Sequence, residues 1–71
     1  MAVQKAAPVR SVFLHVKSGA RYRVIGYCFL EHNNEAAILY AKHDSGQPEP
    51  VWARAAHEFL DGRFRLEDPE G

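Results

Sequence analysis

Arg21-Tyr22-Arg23-Val24-Ile25-Gly26-Tyr27-Cys28-Phe29-Leu30 is the stretch whose reading decides the fold. It is rich in Tyr, Val, Ile and Phe, the side chains that suit a pleated, half-buried strand. Arg21 and Arg23 share one face, and Tyr22 and Val24 share the other. Beyond that point both faces are apolar, with Ile25, Tyr27 and Phe29 on the arginine side and Gly26, Cys28 and Leu30 opposite. A glycine in the middle of a long strand marks a bend, such as the one where a strand passes between the two sheets of a barrel.

Short β-type segments lie on either side of this one. Val12 to Lys17 is β-branched and aromatic and is ended by Ser18-Gly19. The long segment runs from Arg21 to Glu31, and Asn33-Asn34 then supplies a turn in which positive φ is tolerated. Ala36 to Lys42 resumes the strand pattern, Asp44 to Pro50 is a breaker-rich loop, and Val51 to Arg54 is a fourth strand. Ala55 to Leu60 fits one helical turn stopped by Asp61-Gly62, and Arg63 to Leu66 closes the series. The pattern predicts an all-β domain: a small five-stranded antiparallel SH3-like barrel with one short helical turn before the last strand. Its expected core includes Val12, Leu14, Val16, Tyr22, Val24, Leu39, Trp52, Phe59 and Phe64. Residues 1–9 read as a flexible N-terminal arm, 10–66 as the barrel and 67–71 as an acidic tail.

The length of 71 residues allows one domain at most. Nine Lys and Arg against nine Asp and Glu leave no net charge. That excludes a general nucleic-acid glue, which needs a surplus of cations to displace counterions. Cys28 is the only cysteine, so no intrachain disulfide can form, and a lone thiol points to a reducing, cytoplasmic setting. No apolar run approaches a membrane span, and no secretory leader is visible.

Several of these residues recur in a known pattern. Phe13-x-His15-x-Lys17, Gly19-x-x-Tyr22-x-Val24, Glu35 with Leu39-Tyr40, Trp52-x-Arg54, Phe59 and Asp61-Gly62-Arg63-Phe64 together span about residues 12–65. In this the chain resembles the short bacterial and phage proteins grouped as domain of unknown function 1653. It departs from them in having Ser18 between Lys17 and Gly19, and Ala55 where a proline usually follows the Trp-x-Arg step. The resemblance implies an SH3-like barrel and brings no activity with it.

Chemistry-bearing groups are sparse. His15, His32, His43 and His57 show no ligand spacing, so no metal and no cofactor is expected. Cys28 sits in an apolar run without a cation to activate it, and no nucleophile elbow or phosphate loop occurs, so the chain does not read as an enzyme. The arginines are the best lead. Arg21 and Arg23, and again Arg63 and Arg65, alternate with an apolar residue that points inward, and His15 and Lys17 repeat the pattern. Brought together with Arg54, they would make a basic patch suited to phosphate or carboxylate. Tyr27 and Phe29 are the aromatics expected outside the core, beside that patch. The expected function is a non-catalytic binding module for an anionic ligand: nucleic acid, a nucleotide or an acidic protein surface. The alternative is a small phage-type interaction or inhibitor protein that covers a host protein or sequesters a nucleotide signal. An exposed Ile25-Tyr27-Phe29 stripe would also favour a homodimer.

Overall fold

A computed structural model describes residues 2–43 and 50–70, so residues 44–49 of the expected loop lie outside the described residues. The elements in chain order are α1 (Ala2–Ala6), β1 (Val12–His15), β2 (Arg21–Phe29), β3 (Ala36–Lys42), β4 (Trp52–Ala55), α2 (Ala56–Phe59) and β5 (Phe64–Asp68). All five expected strands and the helical turn are present. Asn34 takes up positive φ (58°), as the Asn-Asn turn predicts, and Gly19 and Gly62 do so in the other two tight connections.

Every strand pairing is antiparallel, in the order β4-β3-β2-β1-β5. Among the described residues no pairing joins β4 to β5, so the sheet is open where a closed barrel was expected. It is nevertheless strongly coiled. A flat sheet would hold its two outermost strands about 19 Å apart, four spacings of about 4.8 Å. Instead the Arg54 guanidinium of β4 lies 5.6 Å from the ring centroid of Phe64 of β5, and Tyr22 of β2 meets Trp52 of β4 at 5.8 Å and Phe64 at 6.0 Å, both edge-on. Phe64 in turn stacks on Phe59 of α2 at 4.2 Å, and Phe59 lies 4.9 Å from Phe13 and 5.2 Å from Tyr40. The helical turn thus fills the concave side of the sheet, with Val24 and Ile38 beneath the rings.

The bend in β2 falls where Gly26 predicts, but it is a bulge. Val24 pairs with Tyr40 and Gly26 with Leu39, which leaves Ile25 as an extra residue. An extra residue reverses the alternation of everything after it. Tyr27 therefore lies opposite Ile38, on the concave face, and packs against the core. The expected Ile25-Tyr27-Phe29 stripe on the arginine face does not form. Phe29 shares the concave side with Ala36 but is 63% exposed at the sheet's end. The homodimer thereby loses the stripe from which it was inferred.

Three further expectations are corrected. β1 stops at His15, because the turn begins there with Gly19 N–H donating to the His15 carbonyl, and Val16 is left 55% exposed outside the core. The N-terminal arm is docked: Ala7, after the short α1, is fully buried, and Val3 packs against the core. The Tyr27 hydroxyl donates to the Ala7 carbonyl at 2.6 Å. At the other end, β5 takes Glu67 and Asp68 from the expected tail into the sheet.

Two stability predictions follow from this packing. Phe59→Ala removes a ring with no exposed surface from the centre of the cluster, at a cost of about 3–5 kcal/mol, enough to leave a domain of this size largely unfolded by circular dichroism. Tyr27→Phe should cost about 1 kcal/mol in urea unfolding at neutral pH, through the lost bond to Ala7. Burial raises the Tyr27 phenol above its ordinary value, against a smaller opposing effect of the Val9 backbone. A raised folded-state pKa gives stability that is whole below the ordinary tyrosine range and is lost as pH rises through the folded value. The wild type should therefore lose more stability than Tyr27→Phe across that alkaline range.

Candidate functional site

The convex face of β5, β1 and β2 gathers part of the arginine set. Leu14 of β1 lies between Arg21 of β2 and Arg65 of β5, and Val12 lies between Arg23 and Asp68. Residues directly opposite on neighbouring strands share a face, so three arginines cover one surface over Val12 and Leu14. Arg21 also forms an ion pair with Glu67, Nε to Oε1 at 2.5 Å. Arg23 contacts the His43 imidazole at 3.2 Å, and Arg65 has no carboxylate partner among the described residues. Arg10, which the alternation of strand residues could not flag, lies beside this face: its φ is 78° and its N–H donates to the Val24 carbonyl.

The remaining candidates go elsewhere. His15 turns to the concave side, 4.9 Å from the Phe64 ring, with Nδ1 2.7 Å from the Ser18 hydroxyl. With Lys17, Asp61 and Arg63 it borders a depression of about 520 Å³ between the β1–β2 turn and the turn before β5. Arg63 is held there by Asp61 at 3.3 Å. Tyr27 and Phe29 are separated from the arginines by the bulge.

Arg54 belongs to a different place, a groove of about 620 Å³ along β4. Tyr40 and Trp52 form its aromatic part, their rings stacked at 6.1 Å, with α2 along one side and the β2–β3 turn along another. The Arg54 guanidinium lies 5.6 Å over the Phe64 ring, with Nε 3.4 Å from the Tyr40 hydroxyl and Nη1 3.9 Å from Glu58. The Tyr40 hydrogen bond is the main reason its pKa is raised; burial opposes this, and the negative groups around it add to the rise. Across the groove, Glu35 accepts from the Asn33 amide at 2.8 Å and lies 3.4 Å from His57 Nδ1. Glu35 and His57 were not identifiable as site residues from the sequence, because a turn and a helix remote in sequence bring them together.

Cys28 is a half-buried free thiol opposite Ala37. Among the described residues no three His, Cys, Asp or Glu side chains converge as a metal site, and no helix is long and apolar enough to cross a membrane. Comparison with models of protein families, with curated proteins and with solved structures finds no match to this chain.

Proposed function

We propose that this chain is a non-catalytic binding module that grips an anionic ligand on the convex face of β5, β1 and β2. The observation that carries this reading is the juxtaposition of Arg21 and Arg23 of β2 with Arg65 of β5, on the two strands that flank β1. Arg forks on β2 and β5, two strand spacings or about 10 Å apart, can hold two anionic groups of one ligand. Nucleic acid, a nucleotide and an acidic protein surface all present such groups. Within the same reading the coiled open sheet is a partly open SH3-like roll. The strand order, the bend in β2 and the helical turn before β5 support that.

A second reading, a small phage-type interaction or inhibitor protein, is favoured by one feature: Phe29, Val16 and Ile25 remain exposed although the chain has few large apolar residues to spare. It differs from the first in needing an apolar partner surface and little salt dependence.

Fluorescence anisotropy with labelled single-stranded and double-stranded oligonucleotides, and with a polyglutamate peptide, tests the first reading. The expected result is binding that weakens with salt, at a logarithmic slope of about −2 to −3 for three arginine contacts with a nucleic acid. Arg23→Ala with Arg65→Ala should reduce that slope by about two and weaken binding at least tenfold. Equal binding by wild type and double variant, or no binding to any of the three probes, would overturn it.

A further inference from the structure

Two independent observations meet at the β4 edge of the sheet. The first concerns the backbone. β4 ends the strand order, and among the described residues no backbone pairing joins it to a strand on the side away from β3. Exposed edges are normally blunted by charge. The opposite edge, β5, carries Arg65, Glu67 and Asp68. β4 reads Trp-Ala-Arg-Ala, and its one charged side chain is folded back over Phe64. Among the described residues it is the edge without a charged guard.

The second observation concerns charge in the groove beside it. Arg54 is matched by Glu58 and by the Phe64 and Tyr40 rings. Among the described residues the Glu35 carboxylate meets the Asn33 amide and the His57 imidazole. Glu58 is near both Arg54 and Arg63, whereas Glu35 has no Lys or Arg partner among the described residues. The half-exposed Trp52 lines the same groove. An indole face and a carboxylate are the two groups that hold an ammonium or guanidinium, while the aliphatic stem of Lys or Arg covers the ring.

We infer that the β4 edge accepts an extended segment of a partner protein as an added strand, with a Lys or Arg side chain of that segment laid across Trp52 toward Glu35. Main-chain bonds to β4 supply the affinity, and the Trp52–Glu35 pair selects the cationic side chain. This site lies on a different part of the sheet from the arginine face and does not depend on the anion reading.

Trp52 is the only tryptophan in the chain, so tryptophan emission reports on this groove and on the Tyr22 and Tyr40 rings beside it. The probe is a blocked octapeptide of alternating Lys and Val, titrated with Trp52 fluorescence as the readout. A saturable shift is expected, at least tenfold weaker for the Gln-Val peptide and about fivefold weaker for Glu35→Gln protein with an unchanged circular-dichroism spectrum. The Lys-Val peptide methylated on alternate backbone nitrogens should not bind, because it cannot pair with an edge. Equal binding of the methylated peptide, or an equal response to spermine, would overturn strand addition. Equal binding by Glu35→Gln would overturn the assignment of the cation to Glu35.

Discussion

The register shift at Ile25 governs which side chains of β2 face inward. Tyr22 and Val24 point to the concave side before it, and the extra residue sends Tyr27 to that same side after it, opposite Ile38. Without the shift, Gly26 and Cys28 would face the core, and the tyrosine would stand on the arginine face. The bulge also bends the sheet. A bulged strand twists more strongly than a regular one, and that twist lets rings from both edge strands reach Tyr22. Tyr27 then gives the N-terminal segment its docking point through the Ala7 carbonyl.

A chain of 71 residues without a disulfide has little apolar surface to bury, and here aromatic rings form the centre of the core. Phe13, Tyr22, Tyr40, Trp52, Phe59 and Phe64 form a continuous network at centroid separations of 4.2–6.1 Å. Because one cluster serves every element, α2 is held by Phe59 and Ala56 rather than by its own length; a single turn is far too short to persist alone. The convex face buries only smaller side chains, Val12 and Ala41 among them. It can carry Arg21, Arg23 and Arg65 above Val12 and Leu14, while the rim beside β4 carries Glu35 and Glu58. A chain of zero net charge thus presents surfaces of different character.

Much of the fold was legible in the residues. Strand number, the Asn33-Asn34 turn, the bend at Gly26 and the turn Ala56–Phe59 all follow from local composition. What failed was the side of the bend: a period of two shows that a strand is kinked but not that a residue is skipped, and one skipped residue exchanges the faces. Val16 failed for a related reason, since a β-branched residue in the first position of a turn looks like the end of a strand. The docked arm escaped notice because small residues such as Ala7 carry no periodic signal, only a tight fit. The arginine pairs were readable as faces of single strands, whereas their assembly depended on β1 lying between β2 and β5. The groove was readable only as far as Trp52 and Arg54, for Glu35 and His57 join it through tertiary folding.

Inside and outside are therefore set by one residue, and proton NMR tests that most directly. In a two-dimensional NOE spectrum of the wild type, the Tyr27 ring protons should show cross-peaks to the Ile38 methyl groups and to the Ala7 region, and the Tyr22 ring to both Trp52 and Phe64. Cross-peaks from Tyr27 to Leu39 and the Arg23 side chain instead would mean an unbroken alternation through Ile25, and would contradict both the coiled sheet and the absence of Tyr27 from the arginine face.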